Sequence, residues 1–172
     1  DRLFSYLPYD NTPGLWEGIR FFPESAGNSI AWADIHSANT SVRCDSAADL
    51  SQPKLTLSAT RIHNSAYSAL QLEKCRVEAA NCLLSNSGRE LVAVVDGEAR
   101  LVHCSLLNFY PFALRDEALV RAWSYLPEAG SAGDAAPSSG DTTRVQLDNC
   151  LLSGRANSLS PDTLSAVTKG LY

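Results

Sequence analysis

The chain has 172 residues, 45% of them apolar, and a formal net charge of −5. That length suits one domain, and an acidic balance with no Lys/Arg cluster argues against a nucleic-acid or anionic-membrane partner. No uncharged apolar run is long enough to cross a bilayer as a helix, so no transmembrane segment is expected.

Residues 1–14 read as an apolar strap laid on whatever follows. The segment carries Leu3, Phe4, Tyr6, Leu7 and Tyr9 and ends in the turn Thr12-Pro13-Gly14. Leu15 to Phe21 reads as a strand with Gly18 at a close approach, and Ser25 to Asn28 as another turn. From Lys54 to Asn108 the chain then stacks on itself at a period of 22 residues. Leu57, Ala79 and Leu101 form one column, Thr60, Cys82 and Cys104 the next, and Ile62, Leu84 and Leu106 a third. Asn64, Asn86 and Asn108 follow, then Leu70, Val92 and Leu114. Upstream, Ile30, Ala33 and Ile35 match Leu57, Thr60 and Ile62 at an offset of 27, so one coil is lengthened near Ala47 to Gln52. Downstream, Leu147, Cys150, Leu152 and Gly154 match Leu101, Cys104, Leu106 and Asn108 at an offset of 46. That offset reads as one coil with an insertion, placed at residues 124–142 because Gly130-Ser131-Ala132-Gly133 and Ser138-Ser139-Gly140 have flexible-linker composition. Ser160-Pro161-Asp162 opens a last turn.

Within each unit the apolar residues alternate at period two, the strand signal, and no stretch holds helical spacing for three turns. A 22-residue unit of three short strands must lie parallel to its copies, and parallel crossovers are right-handed. The expected fold is therefore all-β: a single right-handed parallel β-helix of about four coils over residues 1–172. A solenoid needs neighbours or caps at both ends, and neither end reads as one. The chain is accordingly expected to be a fragment with adjoining coils or a capping element beyond its termini. Left-handed corners suit the Asn column, whose amides are also expected to donate to one another along the axis.

Of five cysteines, Cys82, Cys104 and Cys150 share an interior column and are expected to be thiols, because their Cβ vectors run parallel. Cys44 and Cys75 are left open as thiols or a pair. Zinc spacing is absent. Lys54, Arg76 and Glu98 read as one outward column and Thr56, Glu78 and Arg100 as the next, forming solvated ion-pair ladders. Asp96 and Glu98 flank Gly97 at a corner, too few oxygens for Ca²⁺. His36 and His63 share a coil position, and no Ser-His-Asp grouping follows from spacing. No catalytic residue, metal or cofactor is assigned. The candidate ligand-binding residues are Phe109, Tyr110, Phe112, Trp123 and Tyr125, whose flat rings suit stacking on sugars in a shallow groove.

The run Pro13-Gly14-Leu15-Trp16-Glu17-Gly18-Ile19-Arg20-Phe21 resembles a segment of Bacteroidetes surface proteins built from right-handed β-helix repeats of the pectin-lyase-like fold. Asn28-Ser29-Ile30, Ile35-His36-Ser37, Arg43-Cys44-Asp45-Ser46, His103-Cys104-Ser105 and Asp148-Asn149-Cys150 are similar to that group too. Glu17 departs from the Gly commoner there. Asp45-Ser46-Ala47 and Asp162-Thr163-Leu164 resemble the short O-glycosylation motif of that phylum. The resemblance implies an exported chain at the cell surface or outer membrane, often a lipoprotein in that group, although no lipobox is visible. The favoured function is a non-catalytic surface module that binds a glycan or another surface protein. The alternatives are a polysaccharide lyase or glycoside hydrolase, which needs clustered acids with a base, and a structural spacer.

Overall fold

The computed structural model describes residues 2–4, 7–8, 12–113, 117–124, 143–155 and 167–170. Of the strap expected over residues 1–14, the described part is an antiparallel pair, β1 (Arg2–Phe4) with β2 (Leu7–Pro8). β3 (Ile19–Phe21) then opens the solenoid, and each coil lays down three strands in fixed order. Coil one has β4 (Asn28–Ala31), β5 (Asp34–His36) and β6 (Val42–Cys44). Coil two has β7 (Leu55–Ser58), β8 (Arg61–Ser65) and β9 (Leu70–Glu73). Coil three has β10 (Arg76–Ala80), β11 (Leu83–Ser87) and β12 (Val92–Val95). Coil four has β13 (Glu98–Val102), β14 (Ser105–Asn108) and β15 (Val120–Trp123). β16 (Arg144–Asp148), β17 (Leu151–Gly154) and β18 (Val167–Gly170) continue the stack.

Three parallel sheets result. Sheet I stacks β4, β7, β10, β13, β16 and β18; sheet II stacks β5, β8, β11, β14 and β17; sheet III stacks β3, β6, β9, β12 and β15. Among the described residues there is no helix. This is the expected parallel β-helix, and its register matches most of the columns. Leu57, Ala79, Leu101 and Leu147 are paired rung to rung, as are Ile62, Leu84, Leu106 and Leu152. The inward leucines are fully buried except Leu152, which is partly buried, and full burial contributes about 1.5–3 kcal/mol for each.

Three expectations need correction. Val92 pairs with Val120, not with Leu114, which lies outside the described residues. The 46-residue offset therefore divides between two corners, six extra residues before β15 and the remainder after it; residues 125–142 lie outside the described set. Asn64 and Asn86 are left-handed, with φ of 53° and 52°, but Asn108 is not among the left-handed residues. Its buried carboxamide acts instead as a substitute peptide group. Oδ1 accepts from Ser87 N at 3.1 Å, and Nδ2 donates to Ser87 O at 2.9 Å, where the next rung's backbone would otherwise bond. Coil four can thus leave the ladder at this corner without orphaning coil three.

Lys54 is the third correction. It does not point outward with Arg76 and Glu98; it is only 2% exposed. Its Nζ donates to the carbonyls of Phe22 at 2.7 Å, Ser46 at 3.0 Å and Pro23 at 3.3 Å, using all three ammonium protons. The lengthened first coil explains this. The extra residues between β6 and β7 form a loop beside the β3–β4 turn, and one cation bridges the Ser46 carbonyl to those of Phe22 and Pro23; Phe22 O also accepts from Ser25 N at 3.0 Å. The ion pairs made by these two columns run along a strand or on the diagonal, Arg76 Nη2 to Glu78 at 2.6 Å and Arg100 to Asp148 at 3.4 Å, not rung to rung.

All five cysteines are free thiols. Thr60, Cys82, Cys104 and Cys150 occupy one corner at successive rungs. Each turns its Oγ or Sγ back to the carbonyl two residues earlier, at 2.9, 3.3, 3.4 and 3.5 Å respectively. Cys75 lies against Cys44 on the neighbouring coil, with Sγ 3.8 Å from the Cys44 carbonyl.

Lys54→Met keeps the stem and removes the three donors. It is expected to lower stability by at least about 1–3 kcal/mol in urea unfolding, the cost of leaving buried acceptors unpaired. An unchanged midpoint would mean that water satisfies these carbonyls.

Candidate binding groove

The corner between sheets II and III carries most of the exposed rings and a groove beside them. Four structural observations build it. Gly18 must be glycine, because its φ is +106° and a Cβ would sit 1.8 Å from the Thr40 carbonyl oxygen. That close approach presses the entry to β3 onto the next coil. Trp16 then forms an isolated parallel bridge with Ala38, and its Nε1 donates to the His36 carbonyl at 2.8 Å. Asn39 N donates to Trp16 O at 2.7 Å, and Asn39 Nδ2 to Glu17 Oε1 at 2.9 Å. One rung on, Tyr67 N donates to Asn39 O at 2.8 Å, leaving the phenol ring 54% exposed.

The groove has a volume of about 390 Å³ and is lined by Glu17, Arg20, Asn39, Thr40, Arg43 and Tyr67, with Gly18 and Ile19 at its base. Arg20 and Arg43 are register partners on sheet III. Asp45 holds both, accepting from Arg20 Nε at 2.8 Å and Arg43 Nε at 3.0 Å. Burial opposes ionisation of Asp45, but its hydrogen bonds to the two guanidinium groups outweigh that and hold the carboxyl below its ordinary value. The two arginines are therefore fixed in place and neutralised in part. Glu17 is the one carboxylate among the lining residues. The lining thus lacks the acid pair that glycoside hydrolysis uses. What it offers is one flat ring beside a row of fixed donors and acceptors.

The rings expected from the sequence divide between two places. Tyr110 is buried, standing where a Cβ on Gly88 would meet it at 3.4 Å, and it meets Phe112 edge-to-face at 5.3 Å. Phe109 and Phe112 are exposed. All three sit on the II–III corner, following Asn108 as Tyr67 follows Asn64. Trp123 is elsewhere, at the last position of β15, with the Arg121 guanidinium 4.7 Å from its ring centre. Tyr125 lies outside the described residues. Trp16 and Tyr67 were not singled out by sequence. Their shared corner offset with Phe109 to Phe112 was the available signal.

His36 and His63 do share a coil position, with rings stacked at 5.2 Å and inclined by 21°. His63 Nε2 lies 3.0 Å from Asp34 Oδ1, and Arg61 closes on the other oxygen of that carboxylate. Among the described residues no group of three or more His, Cys, Asp or Glu is arranged to hold a metal ion, and no helix is long and apolar enough to cross a membrane. No protein-family model, curated protein or solved structure matches the chain.

His63 gives the fold a pH dependence whose sign follows from its surroundings. Burial pushes His63 below its ordinary value of 6.5; Asp34 pulls the other way, and the charges of His36 and Arg61 add to the depression. The unfolded chain then binds more protons at this site than the folded one. Its stabilising share is whole above pH 6.5 and drains as pH falls below that value. In urea titrations across this window, His63→Gln is expected to flatten the decline in unfolding free energy. An identical slope in the variant would place the proton uptake elsewhere.

Proposed function

We propose that this chain is a non-catalytic binding module of an exported, surface-located β-helix protein, and that the II–III corner is its glycan-binding face. The observation that carries this reading is the line of exposed rings on that corner. Trp16, Tyr67 and the Phe109–Phe112 loop stand on different rungs of one edge, beside a groove lined by fixed polar groups. Rungs in a parallel stack are about 4.8 Å apart, so the line extends for roughly 19 Å along the axis. Stacked rings with hydrogen-bonding neighbours suit a sugar chain, which presents apolar ring faces and hydroxyl edges together.

The exported location and the kinship with Bacteroidetes surface β-helix proteins of the pectin-lyase-like fold belong to the same proposal. They rest on the likeness of residues 13–21 and the related short runs. Absence of an acid pair from the groove lining favours binding over hydrolysis.

A glycan array probed with the intact chain tests this reading. Tyr67→Ala is expected to weaken the strongest glycan signal about tenfold, equivalent to about 1.4 kcal/mol. Phe109→Ala with Phe112→Ala should have a comparable effect, and Trp123→Ala, on the other side of sheet III, little. The proposal fails if the corner variants melt normally and bind as before.

A further inference from the structure

A second linear feature runs along the corner between sheets I and II. At this corner every coil places one left-handed residue: Trp32, Ala59, Asn81, His103 and Asn149, with φ of 55°, 46°, 55°, 53° and 51°. The register fixes them on consecutive rungs. The residues before them pair as Ala31, Ser58, Ala80, Val102 and Asp148, and those two after as Asp34, Arg61, Leu83, Ser105 and Leu151. Five equal backbone conformations in a stack project five side chains in one direction, about 4.8 Å apart.

Trp32 has no packing reason to be there. It is 87% exposed, the most exposed large apolar side chain among the described residues. A bulky residue in the left-handed region is an outlier, where Asn is readily accommodated. Beyond it the methyl of Ala59 leaves the ring clear on the side facing the stack. The next three positions, Asn81, His103 and Asn149, are all exposed. Among the described residues their side chains have no hydrogen-bond partner. None of the five residues is Asp, Glu, Lys or Arg.

We propose that this corner is a binding track for a neutral, extended β-linked glycan chain lying along the solenoid axis. A β-1,4-linked hexose polymer is extended and advances by about one rung per sugar. With one pyranose face on the Trp32 ring, successive sugars reach Asn81, His103 and Asn149. The carboxamides supply donors and acceptors to hydroxyl groups, and the imidazole adds two ring nitrogens that can hydrogen-bond to them. A helical α-linked glucan cannot follow a straight row, and a charged polymer finds no counter-charge in it. The track is separate from the groove on the II–III corner and does not need that proposal to hold.

Cellohexaose is the probe, with maltohexaose as the control, read by calorimetry and by tryptophan emission of the intact chain. Binding of cellohexaose and not of maltohexaose is expected, with a blue shift of emission. Trp32→Asn removes the ring while suiting the left-handed backbone, so the melting temperature should hold or rise. Affinity should fall at least tenfold. Asn81→Ala with Asn149→Ala should weaken binding several-fold, and Gln52→Ala, at an exposed position in the loop between β6 and β7, should leave it unchanged. The track is overturned if cellohexaose does not bind, if maltohexaose binds equally, if Trp32→Asn binds as before, or if Tyr67→Ala abolishes binding, which would assign the sugar to the groove.

Discussion

Every coil of this protein is held by the one before it. Backbone donors and acceptors of one rung are satisfied only by the next, so the spacing, direction and register of each strand are inherited and not chosen locally. A buried side chain then has fixed neighbours directly above and below it, and like sits on like: Leu57 on Ala79 on Leu101, Ile62 on Leu84 on Leu106. The three strands of a coil are short, four or five residues in the regular coils. The corners between them are therefore tight, and several turn on one left-handed residue. That requirement puts non-glycine residues into the left-handed region at ten positions among the described residues. It also explains the inward Thr or Cys that follows each left-handed residue of the I–II corner from Ala59 onward. A small side chain that can donate to the carbonyl two residues back stabilises the tight turn without needing a partner from another coil.

Where the repeat breaks, a side chain takes over the role of the missing backbone. Asn108 continues the ladder with its carboxamide while the main chain departs toward Phe109. Lys54 gathers three carbonyls from the two loops around the lengthened part of coil one. Both are buried polar groups whose satisfied hydrogen bonds are local. Both sit where the chain leaves the repeat, and neither disturbs the register of the coils on either side. Insertion is thus tolerated at corners and excluded from strands, since a slip within a strand would turn every inward leucine to solvent.

The inward columns were legible because burial constrains them at every rung: period two within a strand and period 22 between strands leave a clear trace in the sequence. The thiol column of Cys82, Cys104 and Cys150 was legible for the same reason. Lys54 was not, because a lysine in an outward-looking column carries no mark of the unpaired carbonyls around it. Leu114 was misplaced because six inserted residues before Val120 happened to set a leucine at the repeat period. The aromatic residues were partly legible: Phe109, Tyr110 and Phe112 do lie together, but Trp123 is carried by sheet III to a different corner. Composition alone cannot tell which side of a three-sided coil an exposed ring occupies; only the corner register can.

The division between inside and outside also bears on where function can reside. Inward positions are copied from coil to coil and carry little that is particular to this chain. Corner residues share backbone geometry but not identity, since the left-handed position of the I–II corner accepts Trp, Ala, Asn and His alike. The solenoid therefore presents its variable side chains as straight rows at a fixed pitch, on edges that need no further support. A ligand that is itself a linear repeat meets such a row with little adjustment by either partner, and less ordering is lost when the two associate. A globular ligand gains no such advantage, because no single rung offers it more than one or two side chains. Rings on the II–III corner and the left-handed row on the I–II corner are consequences of the same architecture: a rigid ruler whose markings are the residues that the fold leaves free.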